Sequence, residues 1–395
     1  MLKVGSDFSG VGAFNQALIR LGVEYKEVFA CDMDKFARET FIHNYGEPEY
    51  YPTNVYDRDI PSESLDIYMT SPPCQAFSLA GKRLGKEDKR GILFFNSHEF
   101  IQVNKPRFFI FENVKGLLSD DGGRTFQEWC NMLGGKSVNG VPVLFPYDES
   151  VPYHLYWQVL NAKHHGVPQN RERVFLIGIR DDADNRFQFP REEHLTKRLK
   201  DVLEDEVDEK YFLSNDGIKN LLKNQEYNKF NSLDSSSHTT NVITSIVNKI
   251  SNDNPFIKVG TWRTHNDGRG FREIEDGNCP TIPARAREDG SGQPVVMQLN
   301  PSKESGGKQP YQQNRVYDSN ALCPALNAGQ VTWGGNIVTL PNDYKIRRLT
   351  PRECFRLMDF PDTFTWPVSD SQAYKQAGNS IVVNVLYKIL KQLPL

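Results

Sequence analysis

Five short apolar runs spaced through the first 180 residues constrain this chain more than any other feature. They are Leu2–Val4, Val28–Ala30, Ile67–Met69, Phe108–Phe111 and Val174–Ile179. Helical patterns lie between several of them: Ala13–Leu21, stopped by Gly22, and Asp34–His43, stopped near Gly46. Strands alternating with helices predict an α/β fold with a mainly parallel sheet covered on both faces. In open sheets of this kind ligands bind beyond the carboxyl ends of the strands, so residues just past those ends are the first candidates for function.

Residues 181–345 differ in kind. They are rich in Asn, Ser, Gly, Asp and Pro, with only short strand-like runs such as Val295–Leu299 and Asn336–Leu340. A loop-rich insertion is one reading; a second, smaller domain carrying specificity is the preferred one. A weak internal echo runs from Arg272 to Cys279-Pro280-Thr281-Ile282 and again from Arg315 to Cys323-Pro324-Ala325-Leu326, either a duplicated β-hairpin unit or chance. Regular patterning returns after residue 346. Thr350-Pro351-Arg352-Glu353 has the form of a capping box with proline at the first helical position, and Ser380–Leu393 is amphipathic through Ile381, Val385 and Ile389. The 395 residues suit two domains, or one large domain with an insertion. The expected division is a catalytic, ligand-binding part over 1–200, a hinge and recognition domain over 201–345, and a return to the first domain over 346–395.

No apolar run approaches the roughly 20 residues that cross a bilayer, and MLKVGSDFSG lacks a cationic segment followed by an apolar one, so a cytoplasmic protein without a membrane partner is expected. The six cysteines are scattered and form no C-x-x-C pair, which predicts neither a disulfide framework nor a metal site. A net charge of −3 argues mildly against a polyanionic ligand. Its distribution matters more. Lys82, Arg83, Lys86, Lys89 and Arg90 crowd the segment 79–91, whereas 201–210 is strongly acidic.

Several strand ends carry chemistry. Gly10-Val11-Gly12 follows the first strand, where glycines let backbone N–H groups approach a ligand; an ordinary structural turn reads the same way. A dinucleotide site lacks its third glycine, because position 15 is Asn. Asp32, about twenty residues on, suits ribose hydroxyls, and Asp34 suits the N-cap of the next helix. Met33 suits either an adenine face or the core. Thr70-Ser-Pro-Pro-Cys74-Gln75-Ala-Phe-Ser78 lies just past the third strand, its prolines stiffening the turn. A free cysteine is usually buried and inert; one on a rigid turn at a ligand edge is a candidate nucleophile. Glu112 follows the run Phe108–Phe111, as an acid with raised pKa at a dry pocket or as a cap of the next loop. In Gln169-Asn-Arg171-Glu-Arg173 alternate residues share a face, which is either a surface row or an oxyanion site.

Taken in order, Asp7-Phe-Ser-Gly-Val-Gly12, Ser71-Pro-Pro-Cys-Gln75, Glu112-Asn-Val114, Gln169-x-Arg-x-Arg173, Arg347 through Phe360-Pro361, and Gln376-Ala-Gly-Asn-Ser380 resemble the motifs of the C5-cytosine-specific DNA methyltransferases of bacterial or phage type. The likeness spans 1–180 and 346–393. Two positions depart from it. Ser71-Pro72 stands where Gly-Phe is frequent, a variant shared with the family's tRNA methyltransferases, and Asn54 stands where Asp is frequent.

The resemblance implies a Rossmann-like S-adenosylmethionine-dependent methyltransferase sheet with an inserted small, loop-rich, β-containing target-recognition domain. It implies methyl transfer to C5 of a cytosine flipped from double-stranded DNA. Cys74 would attack C6, Glu112 would hold N3 and the amine, Arg171 would meet O2, and Arg173 would brace the site. Phe8, Ser9, Gly10, Gly12, Asp32, Met33, Asn54, Pro73, Leu93, Asn379 and Ser380 would hold the cofactor, leaving S-adenosylhomocysteine as product. Gln75, Ser78, Lys82, Arg83 and Lys89 would contact DNA through a closing loop. Arg263, Arg272, Thr281, Arg285 and Arg315 would contribute to sequence readout. A monomer without metal is expected, with a cognate restriction endonuclease acting separately as a partner, or a role in phage self-protection. Rival readings are an amino-methyltransferase, disfavoured by Cys74 after Pro-Pro, an RNA methyltransferase, a nicotinamide-dependent dehydrogenase, and a catalytically silent DNA-binding module.

Overall fold

The computed structural model describes residues 1–73, 92–183, 186–211 and 349–395, with the backbone of seven short strands between 260 and 348. Strands and helices alternate through the first part: β1 (Leu2–Asp7), α1 (Ala13–Leu21), β2 (Tyr25–Cys31), α2 (Lys35–Tyr45), β3 (Ile67–Thr70), α3 (Ile92–Asn104) and β4 (Phe108–Val114). Helix α1 ends where Gly22 turns left-handed, and α2 begins at Asp34, whose carboxylate accepts the backbone N–H groups of Phe36 and Ala37. These four strands are parallel neighbours in the order β2-β1-β3-β4. Phe108, Phe109, Ile110 and Phe111 are all fully buried, as a strand covered on both faces requires.

The far half of the sheet is mixed rather than parallel. Helix α4 (Arg124–Leu133) leads to a hairpin of β5 (Ser137–Val138) and β6 (Val141–Pro142), then β7 (Tyr153–Asn161), the short β8 (Gln169–Asn170) and β9 (Glu172–Arg180). The eight-stranded order is β2-β1-β3-β4-β9-β7-β5-β6, and β9 runs antiparallel to both β4 and β7. Asn139 and Gly140 both take positive φ at the hairpin, as a tight Asn-Gly turn demands. Gly178 on β9 is held by packing: a Cβ there would sit 2.0 Å from the Phe109 ring. Gly178→Ala is therefore expected to lower stability by about 1–3 kcal/mol in urea unfolding. An unchanged midpoint would show that the ring yields freely.

Where the dinucleotide pattern would have its third glycine, Asn15 is buried and donates from Nδ2 to Glu27 on β2 at 2.7 Å. A polar pair thus occupies the helix–strand contact that a glycine would close. Burial pushes the Glu27 carboxyl up to about 7, against the Asn15 hydrogen bond. Between pH about 4.5 and 7 the folded chain keeps a proton that the unfolded chain has lost, so this group's contribution to stability falls as pH rises through that window. Glu27→Gln is expected to raise the thermal midpoint at pH 8 by several degrees, at about 2–4 °C for each kcal/mol of ionisation cost removed, and to leave it nearly unmoved at pH 4.5. Equal shifts at both pH values would exclude the ionisation as the cause.

The C-terminal segment forms α5 (Pro351–Leu357), α6 (Asp370–Asn379) and α7 (Val383–Leu390). The capping box is present: the Thr350 N–H donates to Glu353 Oε2 at 2.8 Å, and the Glu353 N–H donates to Thr350 Oγ1 at 3.2 Å. Helix α7 buries Val385 and Ile389, and Arg20 of α1 donates to the Asp359 carbonyl and to Asn384 Oδ1. Ile381 is buried just before that helix rather than within it.

The chain divides into two units, one of Met1–Lys197, Pro324–Ala328 and Cys354–Leu395, the other of Arg198–Cys323 and Gly329–Glu353. In the second, Gly260–Trp262 pairs antiparallel with Phe271–Glu273 and Pro294–Val295. Val316–Asp318 pairs parallel with Ile337–Thr339. Phe271–Glu273 in the first echo and Val316–Asp318 in the second are thus both strands, but pair in opposite senses. No helix among the described residues is long and apolar enough to cross a membrane.

Candidate active site

The topology sends β2 to one side of β1 and β3 to the other, so a crevice opens at their carboxyl ends. There a cleft of about 780 Å³ is lined by residues from five of the six motifs; the segment Arg347 through Phe360-Pro361 contributes none. Its volume suits a nucleoside-sized ligand together with a second small ring.

One wall is the turn after β1. Phe8 takes φ +58°, a strained value for a side-chain-bearing residue, and Gly10 and Gly12 take +55° and +82°. A Cβ at Gly10 would meet nothing within 4 Å, so this backbone faces open cleft, whereas at Gly12 it would strike Tyr45 at 2.2 Å. Gly10 thus serves approach and Gly12 serves packing. Ser9 shares a hydrogen bond with Tyr51 at 3.2 Å. Asp32 accepts the Gly10 N–H at 2.7 Å and the Asp34 N–H at 2.8 Å, one on each oxygen. Burial raises its carboxyl from the ordinary value, with those two N–H groups opposing. Met33 is 86% exposed at the cleft, which excludes the core role and leaves an apolar surface for a flat ring. Asn54 also lines the cleft, with its Oδ1 accepting the Tyr56 N–H at 3.0 Å. Pro73, Leu93, Asn379 and Ser380 complete the lining. Lys375, which the sequence did not single out, pairs with Asp34 at 2.6 Å on the same rim.

The other end of the cleft carries charge. Register places Glu112 opposite Phe175 and Val114 opposite Arg173, so Glu112 and Arg173 are diagonal neighbours on one sheet face. Arg173 Nε forms an ion pair with Glu112 Oε1 at 3.0 Å. Glu112 is buried, and burial raises its carboxyl above the usual carboxylate value although Arg173 and Arg171 pull it down. Arg171 is 3% exposed and donates from Nη2 to the carbonyls of Gly378 at 3.0 Å and Ser380 at 2.8 Å. Burial, and then Arg173, lower its guanidinium to about 9, leaving it charged at neutral pH. Gln169 is fully buried and donates to the Leu357 carbonyl at 2.8 Å. The alternating face of Gln169, Arg171 and Arg173 is therefore an inward one, not a surface row. Glu112 lines the cleft rather than capping a loop.

Asn113 was missed as a distinct part. Its Nδ2 donates to the Pro72 carbonyl at 3.0 Å, fastening the proline turn to the strand end that carries Glu112. The turn's described course ends at Pro73. Cys74, Gln75, Ser78, Lys82, Arg83 and Lys89 lie outside the described residues, as do Arg263, Thr281, Arg285 and Arg315. Arg272 is described only as backbone within Phe271–Glu273.

The family model described as C-5 cytosine-specific DNA methylase matches residues 2–394. The orphan methyltransferase M.SPRI of Bacillus phage SPR is 32% identical over 99% of this chain and 97% of its own. The type II methyltransferase M.HhaI of Haemophilus parahaemolyticus is 31% identical over 97% of this chain and 91% of its own. Among solved structures, the Dnmt2 methyltransferase of S. pombe superposes with a TM-score of 0.60 at 17% identity, covering 99% of this chain and 97% of the other, a likeness of fold.

Proposed function

We propose, from the premise that this chain belongs to the C-5 cytosine-specific DNA methylase family, that it methylates C5 of a cytosine flipped out of a specific double-stranded DNA sequence, through a covalent bond from Cys74 to C6. The observation that carries this reading is the sharing of one cleft by a nucleoside-type wall, Gly10 with Asp32, and a buried acid–guanidinium pair, Glu112 with Arg173.

Cytosine C5 is a poor nucleophile, and the residues answer that. The Cys74 thiolate forms the S–C6 bond and pushes electron density towards C5. Glu112 Oε2 hydrogen-bonds N3 and the exocyclic amine, drawing density from the ring and so favouring the attack, while Arg173 holds Oε1 in place. Arg171, fixed by two backbone carbonyls, sets a positive charge at O2. S-adenosylmethionine, when bound, supplies the electrophilic methyl on a sulfonium. Asp32 accepts its ribose hydroxyls, Met33 covers its adenine, and Asn379 and Ser380 close the amino-acid end. Once C5 has taken that methyl, it loses its proton to a base, and the electrons left behind expel the Cys74 sulfur from C6 as thiolate. No metal enters the scheme, and S-adenosylhomocysteine leaves. The inserted region and the basic segment 79–91 hold and read the duplex. The protein acts as a cytoplasmic monomer in restriction–modification, beside a separate endonuclease, or in phage self-protection.

Bisulfite sequencing of a plasmid from cells expressing the protein tests the reading. Protected cytosines confined to one sequence context are expected. A plasmid with none, alongside methylated tRNA in a parallel assay, would move the substrate to RNA.

A further inference from the structure

A buried cluster just beneath the cleft is unused by the chemistry above. Asp7, the last residue of β1, is fully buried as a side chain. Arg58 Nε reaches Asp7 Oδ1 at 2.8 Å and Oδ2 at 3.0 Å, and Nη2 reaches Oδ2 at 2.7 Å. The Tyr68 hydroxyl donates to Oδ2 at 2.5 Å. Arg58 Nη2 also donates to the Asn96 carbonyl of α3 at 3.2 Å, and its guanidinium lies over the Phe100 ring at 4.6 Å. Tyr68 stacks on the same Phe100 at 4.1 Å.

Each attachment point belongs to a different wall of the cleft. Asp7 opens the turn Phe8-Ser9-Gly10. Arg58 closes the segment that lines the cleft with Asn54, Val55 and Tyr56. Asn96 lies one helical turn beyond Leu93, also in the lining. Arg58 itself does not line the cleft, yet its fork spans all three pieces. We infer that Arg58 is a positioning residue for the cofactor site, fixing the β1 turn, the Asn54 segment and the start of α3 at one spacing through Asp7 and Asn96.

The physical case is one of geometry. A guanidinium offers several donors in a rigid plane, so one group can satisfy both Asp7 oxygens and a third acceptor. An ammonium is a single point charge and cannot span the same three oxygens. Lost positioning of about an ångström weakens a ligand that touches several walls at once. The inference rests on the cofactor reading above, so its test is read by binding as well as by turnover.

Arg58→Lys is expected to raise the dissociation constant for S-adenosylhomocysteine, by calorimetry, and the KM for S-adenosylmethionine by about tenfold each, with kcat at saturation within about twofold. Gly178→Ala controls for lost stability: it lowers the thermal midpoint and leaves the affinity unchanged. Should Arg58→Lys not fold, Tyr68→Phe removes one Asp7 hydrogen bond without stranding a charge, and about a threefold loss of affinity is expected. A folded Arg58→Lys with wild-type affinity, or an unaltered Tyr68→Phe where that variant decides, overturns the inference alone. A wild-type protein that does not bind S-adenosylhomocysteine overturns the cofactor reading and this inference with it.

Discussion

Cys74→Ala is expected to lose methyl transfer by a factor on the order of 10⁴–10⁶, the scale on which removal of a covalent nucleophile acts, while keeping cofactor affinity within about twofold. The loss is large because no other cysteine whose side chain is described offers a thiolate in its place. Cys31, Cys130 and Cys354 are buried, and burial pushes the thiols of Cys31 and Cys130 up to about 12, so neither supplies thiolate near neutral pH. Asn113 donates to the Pro72 carbonyl and so fastens the last described part of the proline turn to the strand end that carries Glu112. The measurements are single-turnover transfer of labelled methyl to duplex DNA and capture of a covalent complex on 5-fluorocytosine DNA. Wild-type protein should be captured and the variant should not. Residual transfer within tenfold of wild type would rule out the covalent route.

What the sequence makes legible follows the range of the interactions. Local signals translate directly: Gly22 ends α1, Asp34 caps α2, and Thr350 with Glu353 builds a capping box, because each depends on a few neighbouring residues. Continuous apolar runs locate the buried parallel strands. Strand β7 escapes that criterion because it is only partly buried, with His154 and Gln158 breaking its apolar pattern. Long-range polar contacts are the least legible. Arg58 is 51 residues from Asp7, and nothing in its neighbours marks it as buried. Asn113 reads as one letter of a motif until its amide is seen on Pro72. Arg171 was expected to face a ligand carbonyl; its bonds to Gly378 and Ser380 show that it also joins the arginine segment to the end of α6. Readout by the inserted region is a different case, since sequence choice depends on which arginines meet which base edges, and composition alone does not order them.

Glu112→Gln is expected to slow methyl transfer by about 10²–10⁴-fold at neutral pH, the usual range for a group that shares a proton in the transition state. The substitution keeps shape and one carbonyl oxygen, so Arg173 retains an acceptor where it now bonds Oε1. What disappears is a titratable proton. Burial holds the Glu112 carboxyl above its ordinary value against the pull of Arg173 and Arg171, so its protonated form persists to higher pH than on an exposed acid. If that form donates to N3 when the base enters, wild-type kcat/KM falls as pH rises through the raised value, and the variant lacks this alkaline limb. The pH profile therefore separates a proton donor from a fixed dipole, which rate alone does not. Affinity for S-adenosylhomocysteine should stay within about twofold, because Glu112 stands at the opposite end of the cleft from Asp32 and Met33. A variant that turns over within tenfold of wild type, or that keeps the wild-type pH limb, would transfer the acid's role to another group.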